Sequence, residues 1–344
     1  MSAGSGVDNG LGAGVRRRTA IDLPPATRPH LFVVVDTEEE FDWSTPPRRT
    51  STSVTAMRHV ERGQRIFDTF GIQPTYVIDY PIASHPDGYL PLVDIHRSNR
   101  CSIGAHTHPW VNPPEDEELS SRNTFMCNLP VPLQRAKLER LCGQIAATFG
   151  IGPTVYKAGR YGIGTSTIPL LEELGFEVDA SVCPRFDYSR EGGPTFAEFD
   201  ARPFFVSERL LEVPCMVDYV GHAGALRPWL HRVASRDSLA AFRGVGILAR
   251  LGLTNRVMLS PEGNTFDEMR ALTDSLLARG VRAFTLSFHS PSLDVGHTPY
   301  VRSQAALDRF LNCIERFCEF FIGERNGVAS TPGDFRAVVM GQGV

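Results

Sequence analysis

The chain lacks any CxxC pair. Its seven cysteines (Cys101, Cys127, Cys142, Cys183, Cys215, Cys313 and Cys318) are odd in number and scattered, which argues against a disulfide framework or a thiolate zinc site and fits a reducing compartment. No run of about 18 apolar residues exists, so no transmembrane helix is expected. Positive charge is not in excess either: the net charge is −4 at pH 7, which gives no reason to expect nucleic acid or anionic lipid as a partner. No internal repeat is visible. Arg16, Arg17 and Arg18 sit in a Gly-, Ser- and Ala-rich opening with no apolar stretch behind them, so no export signal is expected and the protein is placed in the cytoplasm. Residues 1–28 and 326–344 read as tails around a single unit, 29–325.

What is present is 42% hydrophobic and 22% charged, an ordinary globular composition with ample material for a core. Leu31 to Val35 is a short, continuous, β-branched run, the mark of a strand buried on both faces. It ends in a cluster of acids: Asp36, Glu38, Glu39, Glu40 and Asp42. Asp36 and Glu38 share one side while the chain stays extended. Strand and helix patterns then alternate. Val54–Phe70 stops at Gly71 and Leu133–Phe149 at Gly150, both good helix terminators. Strands are expected at 74–80, 101–106, 155–158, 176–182, 210–213, 256–260 and 281–288, and Leu226–Leu251 reads as mostly helical. Seven or so such units argue for a parallel sheet closed into an α/β barrel, with an open doubly wound sheet as the competing fold.

Polar residues collect at one level of this scheme. Asp36, Glu38, His106, His108, Arg160, Glu262 and His289 all fall at or just after the carboxyl ends of expected strands. In a barrel those ends share one face, where chemistry is assembled.

The stretches VVVDTEEEFDW, IGAHTHPW, YKAGRYGIG and LSFHSPSL, in this order, resemble the polysaccharide deacetylases of the NodB-homology type (carbohydrate esterase family 4-like). Within that family the chain looks most like the WalW-type branch, associated with lipopolysaccharide biosynthesis. The resemblance covers roughly Leu31 to Phe321. It implies a distorted (β/α)7 barrel, a divalent metal, usually zinc, and hydrolysis of N-acetyl or O-acetyl groups on a sugar or polysaccharide precursor. The sequence departs from the family pattern at two points. Thr37 stands in place of the second aspartate, with Glu38 next, and Trp110 in place of the second histidine, with His108 two steps earlier.

Catalytic zinc takes three protein ligands and leaves a place for water. Glu38, His106 and His108 supply such a set, because two histidines at i, i+2 can chelate one ion from an extended segment. Pro109 and the Asn112-Pro113-Pro114 run disfavour a helix there. The resemblance then implies Asp36 as general base, His289 as general acid, the Tyr161 backbone N–H as oxyanion donor and Arg160 as the cation that holds Asp36 ionised. Asp179 is a candidate to orient His289 or to cap a turn. Trp43 and Trp110 are candidates for an apolar wall under a sugar ring, and Glu262 is a weaker substrate-side candidate. Two other readings remain: a sugar-binding barrel without catalysis, and a metal-independent glycoside hydrolase using Asp36 and a second acid.

Overall fold

The computed structural model describes residues 20–235 and 244–341. Its centre is β1 (His30–Thr37), which runs parallel to β2 (Thr75–Ile78) on one side and to β10 (Ala283–His289) on the other. From β2 the sheet continues in chain order through β3 (Ser102–Thr107), β4 (Val155–Ala158) and β5 (Val178–Asp179). It ends at β7 (Leu211–Glu212), with β6 (Phe204–Phe205) as an antiparallel edge. Strands that follow one another around the sheet in sequence order are the winding of a barrel rather than of a doubly wound sheet, which reverses at a switch point.

The curl does not close as a continuous sheet. An antiparallel ribbon, β8 (Val217–Val220) with β9 (Asn255–Met258), fills the gap. Cys215 N donates to Val182 O at 2.9 Å on one flank, and Ser287 N donates to Leu259 O at 3.1 Å on the other. The fold is therefore the distorted barrel that the strand pattern indicates.

Alternation of side chains decides what lies inside. Phe32 and Val34 of β1 cluster with Val77, Val155, Val178, Leu211 and Ala283, contributed by five other strands, which makes this the interior column. Leu31, Val33 and Val35 belong to the larger cluster between sheet and helices. Continuing the interior parity along each strand reaches Asp36, Asp79, His106, Lys157 and His289, all at carboxyl ends.

The two ends of the described chain meet below this column. The stretch expected as a carboxyl-terminal tail is part of the fold: β11 (Val328–Ala329) pairs with the start of β1. The helix Pro332–Val339 opens with a Thr331–Asp334 capping box and plants Phe335, fully buried, 5.0 Å from Phe32. Of the expected amino-terminal tail, 1–19 lie outside the described residues. Residues 20–28 are attached, with Ile21 N donating to Pro203 O and Arg28 to Asn326 O and Gly327 O. The long helix expected over 226–251 appears as Arg227–Ala234 and Gly244–Arg250, and the part between falls outside the described residues. No helix among the described residues is long and apolar enough to cross a membrane.

Candidate metal and catalytic site

Three buried ligand atoms converge above the interior column. His106 Nε2 and His108 Nε2 are 3.2 Å apart, and Glu38 Oε2 lies 3.6 Å from the first and 3.4 Å from the second. Burial lowers the pKa of both histidines, to about 4 for His108, and pushes Glu38 up to about 7 against the charge of His289. Neutral imidazoles are what a metal ligand requires. Glu38 Oε1 and His106 Nδ1 are buried with no hydrogen-bond partner among the described residues. The orphaned Glu38 Oε1 beside three converging ligand atoms fits a cation, whereas His106 Nδ1 lies on the far side of the ring from the site.

Sequence reasoning missed the supports beneath these ligands. Glu39, next to Glu38 but facing the other way, accepts from His108 Nδ1 at 2.7 Å and from Trp110 Nε1 at 2.8 Å. Donating Nδ1–H to Glu39 leaves the His108 Nε2 lone pair facing the site, the usual device for fixing a ligating tautomer. Glu39 N donates in turn to Asp79 Oδ2 at 2.7 Å. Burial pushes Glu39 up to about 7 and Asp79 well above the usual carboxylate range, the latter aided by the Glu39 charge. Lys137, fully buried, donates to the carbonyls of Pro109, Asn112 and Pro114 at 2.9, 2.6 and 2.6 Å, which pins the loop behind His108. Gly159 is the close neighbour on the other side: a Cβ there would stand 2.2 Å from His108 Cδ2.

A second row crosses the barrel beside the first. Lys157 Nζ donates to both oxygens of Asp36, at 2.7 and 2.8 Å. Burial alone would raise the Asp36 pKa, but Lys157, with His106 and His289, outweighs it and holds the carboxyl low. Lys157 is raised in turn, the Asp36 charge overcoming its burial. His289, the register partner of Asp36 in β10, has Nε2 3.7 Å from Asp36 Oδ2. Its Nδ1 donates to Glu262 Oε2 at 2.7 Å. Burial opposes the charged imidazole, but Glu262, Glu38 and Asp36 prevail and lift His289 to about 10.

Several expectations change here. The cation on Asp36 is Lys157, not Arg160. Arg160 and Tyr161 both take left-handed backbone conformations, φ 52° and 58°. That turn swings the Arg160 guanidinium onto Thr124, Glu191 and the face of Phe125. Trp110 is buried, stacked on His108 at 4.1 Å, with its N–H committed to Glu39, so it offers no wall to a sugar. Trp43 is 37% exposed, lines the cleft and meets His289 edge-on at 4.8 Å. Glu262 also lines the cleft and accepts from His289 Nδ1 at 2.7 Å. Asp179 has the wrong parity to reach His289 and hydrogen-bonds Ser181 outside the barrel. The signal for Lys157 was available, since a lysine inside a strand expected to be buried needs a carboxylate.

Asp36, Glu38, His106, His108, Glu262 and His289 open on one cleft of about 950 Å³, walled by Trp43, Tyr161, Phe186, Tyr188 and Tyr300. Two successive left-handed non-glycine residues at its floor cost on the order of 1–3 kcal/mol each, the kind of strain that collects at functional sites.

No protein-family profile matches the chain, and no curated relative matches it. Solved structures do resemble it in fold. A Mycobacterium smegmatis protein assigned as a polysaccharide deacetylase is 16% identical, with a TM-score of 0.52 over 94% of both chains. Puue allantoinase is 15% identical, with a TM-score of 0.51 over 89% of this chain and 88% of its own. A Pseudomonas aeruginosa PAO1 protein, also assigned as a polysaccharide deacetylase, is 12% identical, with a TM-score of 0.50 over 89% of each.

Proposed function

We propose that the protein is a metal-dependent hydrolase that removes an N-acetyl or O-acetyl group from a sugar or polysaccharide precursor. The observation that carries this reading is the convergence of Glu38 Oε2, His106 Nε2 and His108 Nε2 beside the Asp36–His289 pair. The fold it shares with proteins assigned as polysaccharide deacetylases adds support. A glycoside hydrolase needs two carboxyl groups turned to the sugar, one as acid and one as base or nucleophile, whereas Asp36 is ion-paired with Lys157 and Glu38 faces two imidazoles.

Glu38, His106 and His108 would hold a divalent metal, most simply zinc, which as a Lewis acid polarises the acyl carbonyl and lowers the pKa of water from 15.7 to about 7. Asp36, kept ionised by Lys157, accepts the proton of the attacking water. The Tyr161 N–H, on the strained turn at the cleft floor, is the donor assigned to the developing oxyanion. His289, protonated because Glu262 and Asp36 flank it, donates from Nε2 to the leaving nitrogen or oxygen. Trp43 offers its face to the sugar ring.

The test is metal content of protein purified without chelator, together with acetate release from N-acetylated and O-acetylated sugars. One equivalent of zinc and acetate release that stops on chelation are expected. Acetate release untouched by chelation, or no bound metal at all, would overturn the reading.

A further inference from the structure

Most charged side chains lining the cleft have an oppositely charged partner among the described residues. Asp36 is paired with Lys157, Glu262 with His289 and Arg160 with Glu191, while Glu38 faces the two neutral histidines as a proposed metal ligand. Arg256, on β9, lines the same cleft, and no carboxylate pairs with it among the described residues. Its guanidinium is nevertheless held in place. It lies 3.7 Å above the Phe186 ring centroid, and Nη1 donates to Arg185 O at 3.0 Å. That leaves further N–H groups of a rigid, planar fork without a partner among the described residues.

Position adds to this. Phe186 stacks on Tyr188 at 5.8 Å, Tyr188 on Tyr161 at 5.4 Å, and the Tyr161 ring lies 5.7 Å from Lys157 Nζ. A continuous aromatic row therefore leads from Arg256 to the turn beside Asp36. The ring faces are taken up by one another, by Arg256 and by Lys157, which fixes the row in place, and a fixed guanidinium at its end suits an anionic oxygen group.

We infer that Arg256 is a specificity determinant for anionic substrates: the acylated sugar, or the unit next to it, carries a phosphate or a carboxylate that Arg256 binds. This rests on the deacetylase reading of the same cleft but is tested apart from it.

The experiment titrates the metal-loaded protein, followed by tryptophan fluorescence, with three probes. They are N-acetylglucosamine, its 1-phosphate, and a disaccharide of glucuronic acid and N-acetylglucosamine. At least one anionic probe is expected to bind about tenfold or more tightly than the neutral sugar, the range of a charge-assisted hydrogen bond. The one preferred distinguishes phosphate from carboxylate. Raised ionic strength should shrink the preference. In Arg256→Gln the ratio of anionic to neutral affinity should fall to near one, and in Arg256→Lys part of it should remain, with circular dichroism verifying that both variants fold. Equal affinities in the wild type, no detectable binding of either anionic probe, or a preference indifferent to Arg256 overturns the inference. Acetate release measured on the same probes separates the two readings. Release without charge preference sinks this inference alone, and an Arg256-dependent preference without release sinks the deacetylase reading alone.

Discussion

Lys157 Nζ bridges both carboxylate oxygens of Asp36 across the barrel interior, at 2.7 and 2.8 Å, with both side chains buried. A buried pair of this kind contributes little net stability, but removing one partner strands a charge and costs about 3–5 kcal/mol. Lys157→Met should therefore lower stability by about that amount in a denaturant titration and nearly abolish turnover. The double variant Asp36→Asn with Lys157→Met should recover most of the stability and none of the activity. A Lys157→Met protein as stable as wild type would mean that the pair is not formed.

Asp36 touches Lys157 and not the histidines, whereas Glu38 faces both histidine Nε2 atoms. Asp36→Asn should keep its metal and lose on the order of 10²–10⁴ in turnover. Glu38→Gln should lose metal affinity first, with excess zinc restoring part of the activity. Metal content and acetate release are measured on both, and the reverse pattern exchanges the two roles.

His289 owes its raised pKa, about 10, to Glu262 first among the groups that favour its charge. Glu262→Gln should therefore move the alkaline limb of the pH–rate profile to lower pH. The sign for stability follows from linkage. With a folded pKa above the ordinary 6.5, the charged His289 stabilises the wild type fully below about 6.5, and that contribution fades as pH rises toward 10. Chemical denaturation at pH 6 and pH 10 should show a smaller difference in the variant. An alkaline limb that does not move would remove Glu262 from this role.

Gly159 lies so close to His108 that an added Cβ would meet its ring at 2.2 Å and Thr107 O at 2.5 Å. Gly159→Ala should push the imidazole off its position and weaken zinc binding while leaving far-ultraviolet circular dichroism unchanged. Wild-type zinc affinity in Gly159→Ala would show that the ring has room to give.

Glu39→Gln removes the anionic acceptor behind His108, a change that typically costs 10–100-fold in metal affinity. His106 has no such acceptor among the described residues, its Nδ1 being without a hydrogen-bond partner there. His106→Ala and His108→Ala should both lose metal, but His108→Ala should also lower the melting temperature, because it abandons Glu39 and the Trp110 stack. Equal melting of the two variants without metal would contradict the asymmetry.

The parts of the site set by local pattern were legible in the sequence. The apolar run of β1 with acids at its end, the alternating His106 and His108, and His289 after a buried strand all follow from period-two alternation and a parallel sheet. The partners brought from afar were not. Lys157 was passed over for Arg160, the more conspicuous cation on a glycine-rich turn, and only the left-handed backbone of 160–161 shows why Arg160 faces elsewhere. Glu39 and Asp79 meet across two strands, a pairing that spacing alone does not reveal. Trp110 looked like a platform because it follows a histidine, yet its indole N–H needed an acceptor, and Glu39 supplied one inside the protein. Of the closing ribbon, β9 overlaps the strand expected at 256–260 but β8 falls outside every expected strand, since antiparallel pairing across a long insertion leaves no local trace.

During synthesis Asp36 leaves the ribosome early and His289 late, although the two are register partners in adjacent strands. Until the last part of the chain emerges, β1 keeps one unpaired, largely apolar edge, an invitation to wrong partners that a nascent chain must survive or be shielded from. The proposed metal ligands all precede β4 while the proposed acid lies in β10, so the order of synthesis separates the two halves of the site until the barrel closes.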